Sequence, residues 1–158
     1  MSSEIWSLSA REAVENLNSG SLQSVDLLQA LSDRIDAVNP VVNALPTLCF
    51  ERARKRGREA DIRHSPLAGI PIAIKDLTDV AGVRTTYGSM LKENHVPEAS
   101  DLMVERLEAN GGVVYAKSNT PEFGSGANTF NDVFGVTLNP YDSTRSAGGS
   151  SGGAWGAT

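Results

Sequence analysis

At 158 residues, with 40% hydrophobic and 21% charged side chains, the chain has the composition of one soluble globular domain large enough to bury a core. Its net charge of −5, with a single basic cluster from Arg52 to Arg58, argues against sequence-independent nucleic-acid binding, which gathers Lys and Arg on one face. No apolar run approaches the roughly 20 residues needed to span a bilayer, the start MSSEIWSLSA lacks a secretory pattern, and a lone cysteine excludes an internal disulfide or a cysteine metal cluster.

Residues 1–64 read as helices. Ser9 followed by Glu12 forms a capping box, after which Ala13, Val14 and Leu17 share a face until Gly20 ends the helix. Ser24 is expected to cap a second helix, with Leu27, Leu28, Leu31 and Ile35 at core spacing and Asn39-Pro40 as its stop. Val41 to Leu45 then reads as a short extended piece, and Leu48 to Ile62 as a charged helix with a solvated face. Cys49, in an apolar stretch, reads as an inert core residue. His64 and His95 lack a partner at metal-ligand spacing, so no metal is expected.

From residue 65 the pattern changes. Leu67 to Ile74 is a short apolar, β-branched run ending in Lys75-Asp76, which is the look of a buried strand feeding a polar loop. Pro71 places its end of the strand at an edge or entry point. Ser100 to Asn110 is a further helix, capped by Ser100 and closed by Gly111, and Val113 to Ala116 a second buried strand, again followed by a lysine, Lys117. Thr120-Pro121 reads as the cap and first position of a helical turn. Helices followed by alternating strands and helices predict an α/β layered fold, in which ligands collect beyond the carboxyl ends of strands, where Lys75 and Lys117 both fall.

Two features bear on chemistry. A lysine at the mouth of a buried strand loses solvation, and its neutral form can then act as a general base; equally, Lys75 can snorkel to water or pair with Asp76 or Asp79. Gly148-Gly149-Ser150-Ser151-Gly152-Gly153 can be a site loop, with backbone N–H groups that stabilise an oxyanion, or a flexible linker. A phosphate loop does not fit, since no Gly-Lys-Ser/Thr follows.

Together these segments resemble the amidase-signature enzymes. The resemblance rests on Leu67 to Asp76, on Gly82-Val83 and Thr85 to Ser89, on Lys117 to Phe123, on Phe134-Gly135 through Asn139-Pro140, and on Gly148 to Gly153; Asn39-Pro40 through Asn43-Ala44 also fits. It implies N-terminal helices followed by part of a mixed central sheet flanked by helices, with residues 1–158 the N-terminal portion of a single amidase-signature domain. It implies hydrolysis of a carboxamide C–N bond through a Ser–Ser–Lys relay, with Lys75 as base, Ser150 as the middle serine held by a cis peptide bond, Ser151 as a supporting partner, and Phe123, Gly124 and Ser125 lining the substrate site. No cofactor is implied.

The family's nucleophilic serine lies in a second Gly-rich segment further along, whereas Thr158 is eight residues after Ser150. These residues alone are therefore expected to be inactive towards amides, and Trp155 and Gly156 depart from the small-residue helix usual at that point. Three settings remain open: a free-standing amidase, the amidase subunit of an amidotransferase, or a fragment that binds a complementary chain through an apolar interface beyond about 2,000 Å². The other expected partner is a small-molecule amide, with a homo-oligomer possible; neither nucleic acid nor membrane is expected to be touched directly, and cytoplasmic residence is the default.

Overall fold

A computed structural model describes residues 5–59 and 62–156 of the chain. Helix α1, Ala10–Ser19, starts at the capping box: Ser9 accepts from Glu12 N, and the Glu12 carboxylate accepts from Ser9 N. Gly20, left-handed at φ 78°, closes it. Helix α2, Ser24–Val42, is capped by Gln23 and not by Ser24; Ser24 is buried inside the first turn and donates to Gly69 O at 2.6 Å.

Pro40 does not stop α2, because a missing N–H this close to the end frees only a carbonyl on the exposed side, at Asp36. Val41 and Val42 are therefore helical, not extended. The true stop is Asn43, left-handed at φ 53°, with the Asn39 carboxamide accepting from Ala44 N and Leu45 N just beyond. The charged helix expected over 48–62 shrinks to α3, Phe50–Arg56, because Leu48 is taken by strand β1, Thr47–Leu48.

Strands β2, Pro71–Lys75, and β3, Val113–Ser118, run parallel, and β1 lies antiparallel on the other side of β3, giving the order β1-β3-β2. Every residue of β3 is buried, as its continuous apolar run requires. The β2–β3 register shifts between Ile72 and Ala73: Ile72 pairs with Val114 but Ala73 with Ala116, so Tyr115 is an extra residue in β3. Pro71 begins its strand, and that strand is an edge.

Helix α4, Leu102–Ala109, is capped by Asp101 rather than Ser100, whose hydroxyl instead accepts from Ala81 N. Thr120-Pro121 leads only into a 3-10 turn, Glu122–Gly124, with Pro121 and not Thr120 as its cap. Two small hairpins follow, β4 (Phe130–Asn131) with β5 (Gly135–Val136), and β6 (Leu138–Asn139) with β7 (Asp142–Ser146). Helix α5, Gly152–Gly156, continues through the positions of Trp155 and Gly156.

One apolar cluster joins Leu28, Ile35, Val42, Ala53 and Val113 from α2, α3 and β3; a second joins Ile74, Val80, Val83, Val104 and Val114 on the opposite face of the sheet. Fully burying such side chains stabilises by about 1.5–3 kcal/mol each, so the two clusters anchor β2 and β3 on both sides. Cys49 is half-buried beside the second cluster, and burial pushes its thiol up to about 11, which keeps it inert. No helix among the described residues is long and apolar enough to cross a membrane.

Candidate active site

Lys75 is the last residue of β2, half-buried where the strand meets the Gly/Ser loop. Its Nζ donates to Ser150 Oγ at 2.8 Å and to Ser151 Oγ at 3.1 Å. Burial holds the lysine below its ordinary range, which favours the uncharged amine a base needs. The Gly149–Ser150 peptide bond is cis.

The Gly/Ser loop is bonded into the fold and is no linker. Gly149 N donates to Ala127 O at 2.6 Å, Gly152 N to Thr129 Oγ1 at 3.0 Å and Gly153 N to Asn119 O at 3.3 Å. Thr120 Oγ1 donates to Ser150 O at 3.3 Å, and Thr129 Oγ1 to Gly148 O at 3.1 Å. Two of its glycines are there for close approach: a Cβ on Gly152 would lie 2.2 Å from Thr129 Oγ1, and one on Gly153 2.3 Å from Asn119 N and 2.6 Å from Ala44 O. Behind the loop stands a buried polar core. Asn131 donates to Asn119 Oδ1 and Thr120 O, both at 2.7 Å, Asn119 donates to Thr137 Oγ1, and Thr137 donates to Asn43 O. Each buried amide thus has partners, the condition under which such a network rigidifies a site.

Lys117 does not reach the site as a second exposed lysine. It is wholly buried, donating to Thr78 O at 2.5 Å and Thr85 Oγ1 at 2.8 Å, with Asp76 Oδ1 at 3.8 Å. Burial pushes Lys117 down to about 8 and Asp76 up from the usual carboxylate range, each offset by the other's charge. Because the unfolded lysine titrates near 10.4, the unfolded chain binds more protons at this residue between about pH 8 and pH 10, and stability rises with pH there. Lys75, also lowered, adds in the same sense. Cys49, raised to about 11 from 9.0, acts oppositely above pH 9. Urea unfolding should therefore show stability climbing from pH 8 to 9 and flattening beyond; in Cys49→Ala the climb should continue towards pH 10. A flat profile in that variant would contradict the buried cation.

Of the residues expected at the site, the structure brings together Lys75, Ser150 and Ser151. Phe123, Gly124 and Ser125 lie on the turn after Thr120, joined to the site through the Thr120 hydroxyl. Phe123 is left-handed at φ 47°, its N–H donates to Tyr87 O at 2.7 Å, and its ring is 53% exposed against Tyr87. Asp76, weighed from the sequence as a partner of Lys75, pairs instead with Lys117 and Thr86, and Lys117, expected beside Lys75 beyond a strand end, is buried. Sequence reasoning missed Thr129, Asn119 and Asn131, which carry no local signal. Among the described residues no group of three or more His, Cys, Asp or Glu side chains is placed to hold a metal.

Residues 26–157 match the family described as Amidase. Among curated relatives, a glutamyl-tRNA(Gln) amidotransferase subunit of Carboxydothermus hydrogenoformans is 40% identical over 157 residues, covering 96% of this chain and 32% of that protein. The same subunit from a Roseiflexus species is 44% identical over 152 residues, covering 93% and 31%. A solved structure of fatty acid amide hydrolase superposes with a TM-score of 0.90 at 27% identity, covering 99% of this chain and 30% of that one. The chain thus spans about a third of the length of these relatives. The α/β arrangement of these relatives is the one found here, and the chain belongs to the amidase family, as the N-terminal part of its domain.

Proposed function

We propose that this chain supplies the base and the middle serine of an amide hydrolase working through a Ser–Ser–Lys relay, within a single domain of which residues 1–158 are the N-terminal portion. The observation that carries the reading is the 2.8 Å contact between Lys75 Nζ and Ser150 Oγ in a lysine held low by burial. In the neutral state Lys75 takes the Ser150 proton, and Ser150 takes a proton from the attacking serine. That serine is expected in sequence beyond Thr158, on the pattern of the longer relatives. The attack forms the acyl-enzyme bond as the C–N bond breaks, and the relay returns a proton to the leaving amine. Ser151 Oγ gives the lysine a second partner at 3.1 Å and helps aim it. Phe123, Gly124 and Ser125 line the approach for the amide, and no cofactor enters.

A second reading keeps this chemistry and places it in an amidotransferase, releasing ammonia from an amide for a partner chain. It is favoured by the relatives named as glutamyl-tRNA(Gln) amidotransferase subunits. Both readings are tested by expressing the protein from its whole reading frame and assaying ammonia release from glutamine, asparagine and simple aryl amides. Turnover of aryl amides by the isolated protein supports a free amidase; glutamine turnover that appears only with partner chains supports the amidotransferase. The 158 residues alone are expected to release no ammonia, and turnover by them would refute a downstream nucleophile.

A further inference from the structure

Beneath the Lys75–Ser150 contact sits an ion pair that the relay does not use. Lys117 is the largest wholly buried side chain among the described residues. Its ammonium donates to Thr78 O and Thr85 Oγ1, on two loops that sequence separates by seven positions. Thr78 belongs to the turn directly after Lys75, and its N–H donates to Lys75 O at 3.0 Å. Thr85 opens the loop that returns to Asp76: Thr86 N and Oγ1 donate to Asp76 Oδ2 at 3.0 and 2.5 Å, and Tyr87 N donates to Asp76 O at 2.9 Å. One cation and one anion therefore clamp both loops around the peptide unit that joins Lys75 to Asp76.

The other Asp76 oxygen, Oδ1, is buried and accepts no hydrogen bond; the Lys117 ammonium at 3.8 Å is what balances it. Were Lys117 replaced by an apolar residue, that oxygen would be left in a dry interior with nothing to face, and the carboxyl would have to protonate or the turn would have to open. Stability alone does not call for this arrangement, because a buried ion pair replaced by well-packed apolar residues is often neutral or stabilising.

We infer that Lys117 and Asp76 are positioning residues, holding the backbone of Lys75 so that its Nζ meets Ser150 Oγ. The inference rests on the reading of Lys75 as relay base, and it is testable in this chain without turnover. Trace acetylation with acetic anhydride across pH 6 to 10.5, read by peptide mass spectrometry, gives a titration midpoint for each lysine. The exposed Lys55 and Lys92 serve as internal standards. In the unaltered protein the Lys75 midpoint should lie below those of Lys55 and Lys92. In Asp76→Asn and in Lys117→Met, each checked for a native near-UV circular dichroism spectrum, the Lys75 midpoint should move up to that of the standards. Its uncharged fraction at pH 7.5 then falls about tenfold for each unit of movement. Should both variants fail to fold, Thr85→Val removes one acceptor of the Lys117 ammonium with little change of volume and should move the midpoint part of the way. A Lys75 midpoint that stays low in folded variants would overturn the positioning role and leave the relay reading intact. A midpoint already equal to the standards in the unaltered protein would sink the relay reading itself, and the positioning role with it.

Discussion

Lys75→Ala, made in the protein expressed from its whole reading frame, is expected to lower amide turnover by on the order of 10⁴-fold, the scale on which relay members act elsewhere. The side chain is half-buried, and its ammonium donates to Ser150 and Ser151. Truncating it removes a desolvated amine and little packing, so thermal unfolding should change by less than about 1 kcal/mol. That combination separates chemistry from folding. Lys75→Arg should be as inactive, because a guanidinium stays protonated and cannot take the Ser150 proton. Ser150→Ala should resemble Lys75→Ala, and the double variant should cost little more than either, since members of one relay are grossly non-additive. Retention of a tenth of the original rate by Lys75→Ala would remove the lysine from the mechanism.

Gly153→Ala should be strongly destabilising. The added Cβ meets three backbone atoms, Asn119 N at 2.3 Å, Ala44 O at 2.6 Å and Asn119 O at 2.9 Å, and none of them is the end of a flexible side chain. Relief requires pulling the Gly/Ser loop away from Asn119, breaking the Gly153 N–H bond to its carbonyl and straining the network through Asn131 and Thr137. A destabilisation of about 3 kcal/mol, the upper end of ordinary overpacking, is expected in urea unfolding. Gly148→Ala is the matched control: nothing lies within 4 Å of the added atom and the backbone is not left-handed, so its effect should stay within about 0.5 kcal/mol. Equal losses at the two positions would mean that the loop responds to glycine content and not to contact.

What could be read from the sequence follows from which residues announce themselves. Ser9 and Glu12 announce their helix start because a capping box is local, and β3 announces itself as a buried apolar run; the run from Leu67 marks β2, but that strand begins only at Pro71 and is half-buried apart from Ile74. Lys75 and the Gly148–Gly153 run were legible as chemistry only in combination, and as a site only through the family resemblance; the contact between them needs the fold. The hairpins of β4 to β7 are not visible in sequence, since β4, β5 and β6 have two residues each and the five of β7 are polar throughout, which leaves no period to detect. Asn119 and Asn131 carry no sign of their role, because a buried, fully bonded amide looks the same in sequence as a solvated one. Pro40 points to the wrong stop for α2, because proline's missing donor costs little near a helix end and Asn43 closes the helix instead.

The extra residue in β3 couples the length of the strand to the way it pairs. In an unbroken strand, residues three apart face opposite ways, yet Val114 lies with Val80 and Val83 while Lys117 reaches Thr78 and Thr85 beside them. The irregularity at Tyr115 is what brings both to one side. A copy of this gene that lost the codon for Tyr115 would pair without the irregularity, and Val114 and the lysine, now two apart, would still share a face. A strand that kept all six residues but paired regularly would instead turn the ammonium towards Leu28 and Ala53, an apolar face with no anion waiting. Among functional descendants a single deletion in β3 should therefore fall at the irregularity, where the facing of the lysine survives it.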